Sequence, residues 1–329
     1  HHIVGDKIQN IVFNNESLDE CVEKTRYYTA TPVNKNGITM YDRDDPDNSD
    51  CGALAYDYLY YQAVEDGVCK SFETQICLYT QKKEYTNKYQ PIFECIIRAC
   101  LSGNYDYWNV LTYHSFVNES ESENVNENVS FVKDFACKQN QSLVKKVFTK
   151  IQNEEFPDTK NLYSVDDVIL KGVHSDTPNR QKTIDEFDKK VVGRIYILAS
   201  CGILNEGIDT KWANMGVPIN PTNSIVKESQ RIGRLGRIPE ENMPPAIILL
   251  PCMVDARKYA SMDTAEQRDQ MIRDELSECG NFNTAINVIS AFKYQYDPEL
   301  FEMCLMYPNK YAPQEVKSNL EKQGLIIEE

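Results

Sequence analysis

The sequence predicts an α/β protein with a doubly wound, mainly parallel sheet. Short apolar runs at 109–113, 168–173, 194–199, 216–219 and 246–250 alternate with amphipathic stretches, the pattern of repeated βαβ units. One such stretch opens with Asp176-Thr177-Pro178 and then presents Ile184 and Phe187 on one face, as a helix with an N-cap residue and an early proline does. Right-handed crossovers between parallel strands wind such a chain in two directions and place function at the strands' carboxyl ends.

The remaining elements follow in chain order. Residues 25–28 read as a strand running into Thr29-Ala30-Thr31-Pro32, and 56–61 and 72–79 read as strands or as linker. Residues 118–130 are acidic and low in complexity, which predicts a solvated loop. Beyond Asp255 the pattern turns helical, for example over 266–276 and 282–292.

A chain of 329 residues has room for two domains with proper cores. The longest apolar run, 246–254, is interrupted by Pro251 and is far too short to cross a bilayer, so it reads as a buried strand. A net charge of −15 argues against a protein coated in positive charge, though a local basic groove remains compatible with it. Eleven cysteines are scattered from Cys21 to Cys304 with no C-x-x-C pair, which fits reduced thiols packed as small apolar residues in a cytoplasmic setting and no metal site. The opening His1-His2-Ile3-Val4 carries neither a starting Met nor a signal-peptide pattern, so further chain is expected before it.

The densest chemistry lies in Gln230-Arg231-Ile232-Gly233-Arg234-Leu235-Gly236-Arg237. On a continuous helix, Gln230, Arg234 and Arg237 fall at i, i+4 and i+7 and share one face. Two guanidiniums and an amide on one stripe form a clamp for a multiply charged oxyanion such as a γ-phosphate. A solvated basic helix is the plain alternative. Gly233 and Gly236 each cost about 1 kcal/mol inside a helix, so they imply close backbone packing or a helix that ends there.

That string is similar to motif VI of superfamily 2 helicases, Q-R-x-G-R-x-G-R, at every defined position. The resemblance implies that Arg237 is an arginine finger, that Arg234 also reaches the γ-phosphate, and that Gln230 places the attacking water. Upstream, Ser200-Cys201-Gly202-Ile203-Leu204-Asn205-Glu206-Gly207-Ile208-Asp209 resembles motif V. There Gly207 would let backbone approach the ligand, and Asp209 would accept a bond from the nucleotide ribose or from motif VI. Ser200 or Cys201 stands where the family has a threonine on the nucleic-acid backbone. Gly172-Val173-His174-Ser175, with Arg180 and Phe187, resembles the H-G-D segment before motif V, and Leu111-Thr112-Tyr113-His114-Ser115 fits motif IV in position. Thr29-Ala30-Thr31 matches motif III, which implies hydroxyl contacts to the strand from Thr29 and Thr31. His1-His2, 27 residues earlier, is either a tag remnant or, as that interval favours, the end of a D-E-x-H-H motif II.

The pattern as a whole resembles DExH-type helicases of large DNA viruses, and through them the motor subunits of restriction enzymes. It implies a remnant of a first RecA-like lobe plus linker over 1–87, a second RecA-like lobe over 88–255, and a helical extension over 256–329. No G-x-x-x-x-G-K-[ST] loop and no suitably placed D-E pair occur in the chain, so it would supply one side of an ATP–Mg2+ site and part of a surface for DNA or RNA. A viral replication compartment or virion is the alternative setting that the resemblance implies. Two other functions stay open: a duplex translocase of the restriction-enzyme kind, and a non-catalytic module that binds nucleic acid or a partner.

Overall fold

The computed structural model describes residues 63–64, 66–79, 85, 87–118, 131–203, 210–220 and 230–253, with isolated positions beyond. Its strands are β1 (Phe72–Tyr79), β2 (Trp108–His114), β3 (Val168–Val173), β4 (Ile195–Cys201), β5 (Met215–Pro218) and β6 (Ala246–Met253). Helices α1 (Gln90–Ser102), α2 (Val132–Phe135), α3 (Lys138–Glu154) and α4 (Arg180–Phe187) lie between them. All strands run parallel in a six-stranded sheet of order β1-β6-β5-β2-β4-β3. The chain builds outward from β2 to β3, returns through β4, and crosses to the other side of β2 for β5 and β6. This is the RecA-like α/β architecture.

The five runs predicted as strands are all strands, extended by a residue or more at one or both ends in most cases. Each residue of β2 is buried, because both faces of a central parallel strand are covered. On one face Val110, Ile197, Val217 and Leu249 pack with Phe93, Ile96 and Ile97 of α1 and with Val144, Phe148 and Ile151 of α3. The alternate residues Tyr113, Tyr196, Leu198 and Ile248 are buried on the other face. There α4 contributes the predicted pair Ile184 and Phe187, both buried, and the Phe187 ring meets Tyr196 edge-on at 5.5 Å.

One sequence expectation is corrected, and one left open is decided. The helix does not start at Asp176-Thr177-Pro178: α4 begins at Arg180 after Asn179, whose φ of 52° is left-handed. The Thr177 hydroxyl instead accepts from the His174 amide at 2.8 Å, closing a turn over 174–177. Residues 72–79, strand or linker by sequence, are the edge strand of the same sheet, paired with β6 from Phe72↔Ala246 to Tyr79↔Met253. The strand and helices expected at 25–28, 56–61, 266–276 and 282–292 fall largely or wholly outside the described residues.

Buried polar groups fasten the layers. Arg194 donates to the carbonyls of Glu186, Phe187 and Lys189 and to Asn109 Oδ1, so it holds the end of α4 against β2. Arg98 on α1 makes paired bonds of 2.9 and 3.0 Å to Glu155, just after α3.

Candidate functional site

Parallel order brings the carboxyl ends of β5, β2, β4 and β3 side by side. These ends carry Pro218, His114, Cys201 and Val173, so the segments singled out in the sequence emerge along one edge of the sheet. The loops are bound to one another there. Ile219 and Asn220 both donate backbone N–H to the Tyr113 carbonyl at 3.1 Å, and the Ser115 hydroxyl donates to the Asn220 carbonyl at 3.3 Å.

The segment 230–237 packs on the α4 side of the sheet. Ile232 and Leu235 are buried, and Leu235 lies against Gly216 so closely that a Cβ there would sit 2.6 Å from Leu235 Cδ1. Helical geometry covers 230–233 and then tightens. The amides of Arg234, Leu235 and Gly236 bond to carbonyls three residues back, those of Arg231, Ile232 and Gly233. The helix therefore ends, as the glycines allow, and the single helical stripe expected through Arg237 is not formed. Arg237 lies beyond the last helical residue.

The arginines divide into two kinds. Arg231 is 3% exposed. Its Nη1 donates to the Asn220 carbonyl at 3.2 Å, its guanidinium lies 5.5 Å from the centre of the Tyr113 ring, and its own carbonyl accepts from the Tyr113 hydroxyl at 2.8 Å. Arg231 is thus committed to its own lobe. Gln230 and Arg234 are half-buried, and Arg237 is exposed. Guanidiniums donate and do not accept, so Arg234 and Arg237 suit phosphate oxygens and not a cation.

A strand-entry segment abuts this one. The Lys70 amide donates to the Gly236 carbonyl at 2.9 Å, and its ammonium donates to the Ala213 carbonyl at 2.9 Å. Burial lowers the Lys70 pKa to about 8. Burial pushes the Cys69 thiol up, while the nearby Arg237 guanidinium pulls it back. Nothing in the sequence pattern marks Lys70, because Ala213 and Gly236 are more than 140 residues away.

The other predicted residues are placed as follows. Ser200 is 2% exposed, with its hydroxyl donating to the Thr112 carbonyl at 3.2 Å, while Cys201 is half-buried at the strand end. His174 Nδ1 accepts from the Asp176 amide at 3.3 Å, and its ring borders an open recess of about 240 Å³ with Lys133, Gly172 and Thr177. Arg180 is exposed at the start of α4 and donates to the Ser175 carbonyl. Thr29, Thr31, Gly207 and Asp209 lie outside the described residues. No helix among the described residues is long and apolar enough to cross a membrane.

Residues 145–239 match the family model of the helicase conserved C-terminal domain. No curated protein matches the chain. Among solved structures, the ATP-dependent Type ISP restriction-modification enzyme LlaBIII bound to DNA is similar at 16% identity and a TM-score of 0.50, over 87% of this chain and 18% of that one. The fragment of a putative HsdR subunit of a type I restriction enzyme from Vibrio vulnificus YJ016 is similar at 13% identity and a TM-score of 0.37, over 65% of this chain and 38% of that one. Domain 2 of the DEAD-box helicase Mss116p bound to an RNA duplex is similar at 12% identity and a TM-score of 0.30, over 67% of this chain and 76% of that one. The chain spans less than a fifth of LlaBIII, with which it shares its fold. Residues 145–239 of the chain thus carry a helicase C-terminal domain match, seated in a RecA-like sheet.

Proposed function

We propose that this chain supplies the second lobe of an ATP-dependent nucleic-acid motor, with Arg237 as arginine finger, Arg234 as a second γ-phosphate contact and Gln230 as the group that orients water. The observation that carries this reading is the split within 230–237: Arg231 is sunk against Tyr113 and Asn220, while Arg237 is exposed. A merely solvated basic segment has no reason to bury one arginine as a fastener.

In this reading the residues of a facing lobe would hold ATP and Mg2+, the ATP supplying the phosphoryl group and the Mg2+ offsetting its charge. This chain's guanidiniums would neutralise charge on the transferred group and its leaving oxygen, and the Gln230 amide would fix a water in line. Gly207 and Asp209 would border the nucleotide. Thr29, Thr31, Ser200, Cys201 and Arg180 would meet the nucleic-acid backbone; of the last three, Cys201 and Arg180 are the better exposed. Closure and reopening of the lobes over successive ATP molecules would step the strand along.

The test uses the full-length protein. Its ATP hydrolysis should rise when DNA or RNA is added, and Arg234→Ala should remove that rise while the protein still folds. Unchanged stimulation in the variant would rule the reading out. A duplex translocase is the second reading, favoured by the fold likeness to LlaBIII. Displacement of a triplex strand without unwinding of a tailed duplex would select it. Failure of the protein to hydrolyse ATP at all would leave the non-catalytic binding module.

A further inference from the structure

Cys77 on β1 and Cys95 on α1 stand 18 positions apart in sequence, and their sulfurs are 2.7 Å apart in the fold. Both residues are buried, at 7% and 2% exposure, and neither is in a disulfide. The separation is well inside ordinary sulfur–sulfur contact, and a short closing movement would bring it to the ~2.05 Å of a covalent bond. The two side chains come from elements that pack directly: β1 forms one edge of the sheet, and α1 lies across β1 and its neighbour β6.

We propose that Cys77 and Cys95 are a disulfide-forming modification site whose oxidant is hydrogen peroxide. This rests on the placement of the two thiols and is independent of the motor reading. Peroxide is small enough to enter when an edge strand opens locally, whereas a glutathione-sized disulfide is not. The Cys77 sulfur, the less buried of the two, attacks one peroxide oxygen. An S–O bond forms, the O–O bond breaks, and water leaves, giving a sulfenic acid. The Cys95 sulfur then attacks the Cys77 sulfur. The S–S bond forms, the S–O bond breaks, and a second water carries away the hydroxyl with the Cys95 thiol proton. The sulfur pair loses two electrons, which the peroxide gains.

The cross-link would staple the edge strand to the helix that follows it. β1 is entered through Lys70, whose amide is bonded to Gly236, so the staple would also steady the chain beside 230–237. Closing a loop of this length restrains the unfolded chain and raises the folded state's resistance to heat.

The experiment maps thiols in the whole chain. Reduced protein is treated with hydrogen peroxide, freed of peroxide with catalase, unfolded in denaturant containing excess N-ethylmaleimide, digested and analysed by mass spectrometry. The expected product is one peptide pair joined through Cys77 and Cys95. Labelling at both positions should fall together and return with dithiothreitol, and the midpoint of thermal unfolding should rise by several degrees in the oxidised form. Cys77→Ala should remove the joined pair and the rise in midpoint. The same treatment in denaturant should scatter pairing among the eleven cysteines, which sets the background. Full labelling of both residues after peroxide, separate oxidation of each to sulfinic acid, or pairing no more frequent than in denaturant would each overturn the proposal. Mapping on the unmutated protein distinguishes these outcomes even where Cys77→Ala folds poorly.

Discussion

The Tyr113 hydroxyl donates to the Arg231 carbonyl at 2.8 Å, and the Arg231 guanidinium lies 5.5 Å from the centre of the Tyr113 ring. These residues are 118 positions apart, and the pairing fixes the segment that carries Arg234 and Arg237 to the central strand of the sheet. Tyr113→Phe keeps the ring and removes the donor, leaving the carbonyl of a buried residue short of a bond. The expected loss is about 1 kcal/mol of stability by denaturant unfolding, with the ring stacking retained.

Gly216 is required by packing. A Cβ at this position would meet Leu235 Cδ1 at 2.6 Å, and Leu235 is 1% exposed, so relief of the contact has to shift buried side chains. Gly216→Ala should cost about 1–3 kcal/mol. Adding Leu235→Ala makes room, so the double variant should be less destabilised than the sum of the two single changes. Strict additivity in equilibrium unfolding would show that the two residues do not press on each other.

Lys70 makes stability depend on pH. Its folded pKa is about 8 against an ordinary 10.5, because burial disfavours the charged ammonium. The folded value is the lower one, so the cost of burying charge is fully present below pH 8. It is relieved as pH rises toward 10.5. The unsubstituted protein should therefore gain stability relative to Lys70→Met as pH rises from 7 to 10, by about 2–3 kcal/mol in all. Parallel stability curves for the two proteins between pH 7 and 10 would contradict the shift.

Arg98 ties α1 to α3 through Glu155 at 2.9 and 3.0 Å, with Glu94 3.5 Å away on the same helix. Removing one member of a buried pair strands the other. Glu155→Ala should cost about 2–3 kcal/mol, toward the low side for such a loss because Glu94 still faces the guanidinium. Replacing both partners, Arg98→Met with Glu155→Leu, should recover most of that stability in the same unfolding measurement.

Local pattern reveals much of this protein, and distance in sequence hides the rest. The strands β2, β4, β5 and β6 are legible because strands covered on both faces read as continuous apolar runs, and the edge strand β3 because Val168-Ile169-Leu170 keeps a short one. β1 reads equally as strand or linker, since polar Glu73, Thr74 and Gln75 break its apolar character at a sheet edge. The motif-like string 230–237 is legible as chemistry but not as shape: its glycines end the helix before Arg237, so helical spacing misjudges the last arginine. Asp176-Thr177-Pro178 has the composition of a helix start, yet the Thr177 hydroxyl is spent on the His174 amide. Lys70 with Gly236, Tyr113 with Arg231 and Cys77 with Cys95 depend on tertiary packing that periodicity does not encode.

The most direct measurement compares Arg237→Ala with Arg231→Ala in the full-length protein, following both thermal unfolding and nucleic-acid-stimulated ATP hydrolysis. Arg231→Ala should lower the unfolding midpoint, at a cost of about 2 kcal/mol. Arg237→Ala should lower the midpoint less than Arg231→Ala does, while stimulated hydrolysis falls about a thousandfold or more. Undiminished hydrolysis in Arg237→Ala, or a loss that merely tracks a lowered midpoint, would show that the exposed arginine is not the finger of a motor.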